Sequence, residues 1–424
     1  MVGDRLLILS STGADGRRST DRSSANDVSS KGEVIMSCAT RRTYSRIHPR
    51  HGFLILMPIL LSVACSSGGD GGGGTTTNNP PAGGANQFAY VVNFAVNNVQ
   101  AFTSDGNGNF TMVGQPITTG VNPHNVNVDK PGRFAYISNV GSNFVSGFKI
   151  NSADGSLAPI NPAPGSPVTD ASDPTNNSPY WSVFDTTGQF LYVIAGVTPT
   201  LKSYSIDSTS GVLTHIGATG PLNQCSTGHS VTISPNNKFL YVGCRFNGVV
   251  YSFSRNTQTG ALTNLGATNV IQNGAPGVSF SVVVDPTSSF LFVGVTDGVT
   301  VFNIDPNSGN ISGQKLFVAG NTPHSVTLDG NGHLYTANLN DSTVSAFSIS
   351  GGTLTQLAGS PFATGGEPNQ VAVHPDGTVL FTADQIPSTV TRFTLNADGT
   401  LTRNGNAATF PANSGTNNMA LTNK

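Results

Sequence analysis

From residue 88 onward, short apolar runs alternate with polar residues at period two and are separated by Gly, Asn and Asp turns. That pattern predicts antiparallel strands, not amphipathic helices. One unit recurs along this stretch. It holds a short apolar strand, a turn of Asp-Pro-x-Gly type and a second strand ending Leu-Tyr-Val. A third strand of Val-x-x-Phe-x-Ile type follows, then a Gly-containing turn and a short fourth strand opening with Leu-Thr. NPHNVNVDKPGRFAYISN (122–139), GHSVTISPNNKFLYVGC (228–244) and PHSVTLDGNGHLYTAN (323–338) are three of its copies. The second-strand aromatics fall at Tyr90, Tyr136, Tyr192, Tyr241, Phe292, Tyr335 and Phe381, with spacings of 46, 56, 49, 51, 43 and 46. Seven four-stranded units arranged radially make an all-β, seven-bladed β-propeller. The first copy opens on its second strand at Phe88, and residues 417–423 read as a first strand with nothing after it. The C-terminal strand is therefore predicted to complete the first blade and close the ring, which removes open sheet edges.

The chain ahead of the repeats has a different character. Residues 53–64 (FLILMPILLSVA) form an apolar run preceded by Arg41, Arg42, Arg46 and Arg50. At twelve residues it is too short to span a bilayer, where about 20 are needed, but it suits the apolar core of a secretory signal. The run stops at Ala64-Cys65-Ser66-Ser67 and resembles a bacterial lipoprotein signal, which implies lipidation at Cys65; the alternative is a plain cleaved signal. Met36 makes a more natural start than Met1. From Cys65 to residue 87 the chain is rich in Gly, Thr and Pro, a composition that builds no core and reads as a tether. The expected organisation is thus a signal segment over 1–64, a tether over 65–87 and a propeller over 88–424. The expected location is the cell envelope, periplasm or outer membrane, with the lipid as the only membrane contact.

Composition narrows the function classes. Only 10% of residues are charged, against about a quarter in an average soluble chain, and Gly numbers 50. Residues 1–64 hold nine Lys/Arg against five Asp/Glu, which leaves 11 and 17 for the rest, a net of −6. A mildly acidic, charge-poor body suits neither nucleic acid nor anionic lipid. A monomer is expected. With Cys38 and Cys65 set aside, Cys225 and Cys244 remain; a bridge and two buried thiols are the alternatives, and an extracytoplasmic location permits the bridge.

The repeats resemble those of the seven-bladed lactonase family, which includes 6-phosphogluconolactonase-type and muconate-lactonising propellers. Pro-His-x-Val strand starts at His124 and His324, a similar Gly228-His229, and Tyr-x-x-Asn strand ends carry the resemblance across residues 88–423. It implies the propeller fold and, for the catalytic members, lactone hydrolysis at one channel mouth without a cofactor. Related propellers without enzyme activity share the repeat, so a binding propeller for a glycan, a metabolite or a protein is the second reading.

Antiparallel pairing brings the start of each first strand and the end of each second strand to the same face. Alignment of the units predicts a ring of Asn418, His124, Tyr180, His229, Phe280, His324 and Asn369 around the channel mouth, with Asn338 and Asp384 among the strand ends beside it. Trp181, the only Trp, follows Tyr180. Arg245, Asp341 and Glu367 fall on the same rim. Each His either serves chemistry or bonds a neighbouring blade's backbone. The spacing does not support a metal site.

The catalytic members use a His, an Arg and a Glu, the Glu commonly following the Asn that ends a second strand. Here the residues at that place are Phe94, Val140, Gly196, Arg245, Thr296, Leu339 and Gln385, so the Glu is missing from every blade. The expected substitutes are His229 or His324 as base, Arg245 as oxyanion partner and Glu367 to orient the base. A single Arg is thin provision for a phosphate, so an unphosphorylated lactone is the expected substrate.

Overall fold

The computed structural model describes residues 87–161, 168, 178–272 and 275–422. Cys65, the apolar run and nearly all of the tether lie outside the described residues. Seven antiparallel sheets follow one another along the chain, each ordered first to fourth strand. Blade 4 is typical, with strands Thr227–Ile233, Phe239–Arg245, Val249–Arg255 and Leu262–Asn269. Blade 1 is assembled from both ends of the described chain: its first strand is Thr416–Leu421 and its second is Gln87–Asn93. Two hydrogen bonds between Phe88 and Thr422, at 2.8 and 2.9 Å, lock that seam. The first strands of successive blades neighbour one another around the whole ring, blade 7 to blade 1 included. Seven-bladed closure by the C-terminal strand is therefore as the sequence predicts.

The apolar core is not central. It lies in seven wedges, one between each pair of adjacent blades. In the wedge between blades 3 and 4, Tyr192 and Ile194 of one second strand pack against Leu240, Val242 and Phe253 of the next blade. A blade therefore buries its faces only by having neighbours.

Local turn chemistry fixes the strands. After the first strand, Asp129, Asp185 and Asp285 each accept two backbone N–H bonds from residues four and five further on, which folds the turn tightly. The next tie is between blades. The hydroxyls of Tyr90, Tyr136, Tyr192, Tyr241 and Tyr335 donate to the carbonyls of Gly155, Gly211, Gly260, Gly309 and Gly399, each in the next blade's turn between third and fourth strands. Phe292 and Phe381 hold this position in blades 5 and 7 and have no hydroxyl to give.

These turns demand glycine. Gly309 has φ +74°, and a Cβ there would stand 2.2 Å from the Phe239 ring. Gly309→Ala is therefore expected to cost at least about 3 kcal/mol, from left-handed backbone plus overpacking. Tyr241→Phe, which only orphans the Gly309 carbonyl, should cost about 1–2 kcal/mol. Urea unfolding of the two variants checks the ranking.

Candidate functional site

Every first strand carries one extra residue near its start. In blade 4, Gly228 pairs with Cys244 and Ser230 with Gly243, which leaves His229 unpaired between them. The same bulge frees His124, Tyr180, Phe280, His324 and Asn369 in their blades. A bulge re-aims a side chain, and here all seven belong to one ring. Tyr180 lies 3.9 Å from His124 and 4.8 Å from His229, centroid to centroid, and His229 lies 5.1 Å from His324.

In blade 1 the freed residue is Asn417, because Thr416 pairs with Asn93 and Asn418 with Val92. The expectation of Asn418 in the ring is thus off by one. Asn418 belongs to the layer beneath, where its oxygen accepts from Val126 N at 3.1 Å. Two adjacent Asn made the slip easy. Aligning Met419 with Val126 would have found Asn417.

The ring is a girdle of hydrogen bonds running one way. Asn369 Nδ2 donates to the Asn417 carbonyl at 2.9 Å, and Asn417 Nδ2 donates to the His124 carbonyl at 2.9 Å. His324 Nδ1 bonds the Asn369 carbonyl at 3.0 Å, and His229 Nδ1 bonds the Phe280 carbonyl. Nδ1 of His124, by contrast, is buried without such a partner. Each donor serves the next blade. Of the two readings for the histidines, backbone bonding is what the geometry displays at His229 and His324. The His124, Tyr180 and Phe280 positions make no such bond, and the last two flank His229.

Arg245 spans that gap. Its charge acts on the Tyr180 hydroxyl, and its guanidinium lies 5.3 Å from the Phe280 ring centroid. It also lies 4.9 Å from the ring of Phe246, which is 63% exposed. Its Nε has no partner, and neither has Nε2 of His229. Because Nδ1 carries the donated proton, Nε2 of His229 keeps a free lone pair. The mouth itself is closed: His124, His229 and His324 are only 6%, 1% and 7% exposed. Burial, then mutual and Arg245 charge, holds His229 well below the ordinary 6.5, so its imidazole is neutral. Burial likewise lowers His124 to about 3 and His324 to about 4. Among the described residues no cluster of His, Cys, Asp or Glu is arranged to hold a metal.

Other expected rim residues stand elsewhere. Glu367 is half-buried and bonds neither His; its backbone ties the loop to Ile386 and Gln385. Carbonyls of Phe280 and Asn369 orient the candidate bases in its place. Asp341 caps the loop at Asn321. Asn338 and Asp384 are fully buried, and their polar atoms are taken inside their own blades. Asn338 bonds Thr336, Thr343 and Ser345, while Asp384 accepts from Thr382, Thr389 and Thr391. Trp181 is not at the mouth but in the wall of the channel beneath the ring. Cys225 and Cys244 do form a disulfide, with Cα atoms 5.2 Å apart, one residue before Arg245. Sequence reasoning missed Asn417 and the serines Ser230, Ser281 and Ser325 of the channel wall.

A closed ring of seven four-stranded blades, with His and Asn donors girdling one channel end, defines a seven-bladed propeller with a polar axial ring. The family model described as "Lactonase, 7-bladed beta-propeller" matches residues 83–171, 167–312 and 287–420, and the chain belongs to that family. Solved structures agree on the fold. A putative 6-phosphogluconolactonase from Bacteroides fragilis superposes with TM-score 0.64 at 16% identity, over 81% of this chain and 100% of that one. The periplasmic gluconolactonase PpgL of Pseudomonas aeruginosa gives 0.62 at 15% identity, over 80% and 99%. No curated protein matches in sequence.

The ring makes stability pH-dependent. His324 sits at about 4 against an ordinary 6.5, so its contribution is present above pH 6.5 and is lost as pH falls, about 3 kcal/mol in full. His324→Asn, which substitutes the donor already used at 369 and 417, should flatten the fall in urea stability between neutral and acid pH. Asp384 has the opposite sign: burial pushes it up to about 6 from 3.8, so ionising it above pH 6 costs about 3 kcal/mol. Asn139 and Asn338 end the corresponding strands. Asp384→Asn should therefore raise the melting temperature at pH 8 and lose that advantage near pH 4.

Proposed function

We propose that this protein is a cell-envelope hydrolase of an unphosphorylated lactone, acting where Arg245 crosses the girdle above His229. The observation that carries the reading is the unpartnered Nε2 of His229 in a ring whose histidines all feel the Arg245 charge. Water hydrogen-bonded to that lone pair attacks the lactone carbonyl as its proton passes to Nε2. Arg245 stabilises the developing oxyanion, the ring C–O bond breaks, and the returned proton completes the hydroxyl of the product acid. The Phe280 carbonyl holds the imidazole in the required tautomer, the part a carboxylate plays in many hydrolases.

A neutral lactone suits a site with one cation, since a phosphate commonly recruits several donors. The envelope location rests on the apolar run before Cys65 and the tether after it. The Pseudomonas relative named a periplasmic gluconolactonase supports both parts of the reading. A non-catalytic envelope propeller that binds a glycan, metabolite or protein is favoured by one specific observation, the closed ring with its donors spent on backbone.

Purified protein assayed on sugar, aliphatic and phosphorylated lactones distinguishes the two. Turnover of unphosphorylated lactones that falls at least about 100-fold in Arg245→Ala, the usual scale for losing an oxyanion donor, is expected. Because His229 is already neutral, its ionisation should leave the rate level from pH 8 down to pH 6. No turnover on any lactone would leave the binding reading. Cys65→Ser should move the protein from the membrane to the soluble envelope fraction on cell fractionation.

A further inference from the structure

Among the described residues, every non-glycine position with left-handed backbone is Asn, Ser or Thr, with one exception. Asn97, Asn143, Thr198, Ser342 and Ser388 are of the common kind, each in the loop that joins the second and third strands of its blade. Asn in particular tolerates that region, and bulky side chains are strained there. The exception is Phe246, at φ +70°. Blade 4 already places Gly248 in the same loop at φ +56°, so the strain at Phe246 is additional to what the other blades carry.

Ties on both sides keep this loop from relaxing. The disulfide fixes Cys244 to Cys225, Ser226 Oγ donates to the Arg245 carbonyl at 2.9 Å, and Ser226 N donates to Asn247 Oδ1 at 3.1 Å. Gly248 in turn lies directly on the Gly277 backbone. The ring held in this way is 63% exposed. An exposed ring returns little burial for its strain, and such strain persists only where the surroundings impose it, most often at functional sites. What surrounds the ring is apolar. Phe246 and Phe280 both lie against the Arg245 guanidinium, and exposed Val197 of blade 3 follows Gly196, which packs against the Tyr180 ring. Half-buried Arg245 pairs with no carboxylate among the described residues, so its charge is available to an acceptor oxygen. Groups that would serve sugar hydroxyls are committed elsewhere. Asn369 and Asn417 bond backbone carbonyls, and Asn321, Thr322 and Asn340 bond one another.

We infer that Phe246 is a binding residue that selects lactones carrying an alkyl substituent, with the lactone carbonyl on Arg245 and the substituent along the exposed ring. The inference rests on the hydrolase reading of the same site and goes further by naming the substrate class. An aromatic face removes alkyl surface from water without asking for hydrogen bonds. A polyhydroxylated lactone would set its hydroxyls against the same rings and lose water there with nothing in exchange.

δ-Valerolactone and δ-decalactone share one ring and differ by a pentyl tail, while glucono-δ-lactone carries hydroxyls instead. With purified protein, kcat/KM is expected to be at least about tenfold higher for δ-decalactone than for either of the others, the scale of a few methylenes taken from water. Phe246→Asn, which suits left-handed backbone, should bring the decalactone-to-valerolactone ratio close to one, and Phe246→Tyr should keep it. The melting temperature of Phe246→Asn should equal or exceed that of the parent. Preference for glucono-δ-lactone would leave the hydrolase reading standing and overturn this inference. So would an alkyl preference that survives Phe246→Asn, or a lower melting temperature in that variant. Without turnover of any lactone the hydrolase reading falls, and calorimetry decides the apolar site by itself. Saturable binding of δ-decalactone, tighter than that of glucono-δ-lactone and lost in Phe246→Asn, would sustain it; no such binding would overturn it.

Discussion

A blade of this protein cannot bury its own faces, so everything rests on the contact that each blade makes with the next. That contact has three radii. Apolar wedges fill the middle, tyrosine hydroxyls tie the waist of one blade to a glycine turn of its neighbour, and at the axis four of the seven bulged residues, His229, His324, Asn369 and Asn417, reach forward to the next blade's carbonyl. All three repeat with the period of the sequence. The candidate site is made from the innermost of them, in the sector where Tyr180 and Phe280 leave the girdle open and a cation crosses it.

The fold was legible because its determinants are local and repeated. The aromatics from Tyr90 to Phe381, the Asp turns and the missing first strand at Phe88 each recur or fail to recur in plain view. The ring was legible too, since a strand start and a strand end must share a face. What the pattern did not carry was single-residue register and side-chain direction. Asn417 and Asn418 are chemically identical neighbours, and only the bulge between Thr416 and Asn418 decides which one reaches the axis. Asn338 and Asp384 end their strands at the right height, yet threonines and serines of the same blade take their polar atoms. Glu367 was singled out for its charge. Backbone carbonyls, invisible to composition, do the orienting instead.

The two ends of the axis differ in electrostatic character. At the girdle, neutral imidazoles and one guanidinium favour developing negative charge. In the channel, hydroxyls, amides and apolar side chains make the wall, and no ion among the described residues lines it. Sparse charge along the whole chain makes this contrast sharp, since few ions elsewhere blur it. The ring that separates the two regions is held by the same bonds that hold the blades together, so a substitution that relaxes the girdle alters both.

The disulfide and the seam set very different demands on assembly. Cys225 and Cys244 are 19 residues apart within one blade, whereas Phe88 and Thr422 are separated by 334. Local contacts form readily, and distant ones wait on loop-closure entropy. The covalent link can thus form as soon as blade 4 exists, and it pins the strand end that carries Arg245 in the one sector where the girdle is interrupted. Circularisation comes last, only when the final strand has left the ribosome. Until then the half-built arc presents Gln87–Asn93 as a bare edge, and the interval before closure is when this chain is most exposed to pairing with the wrong partner.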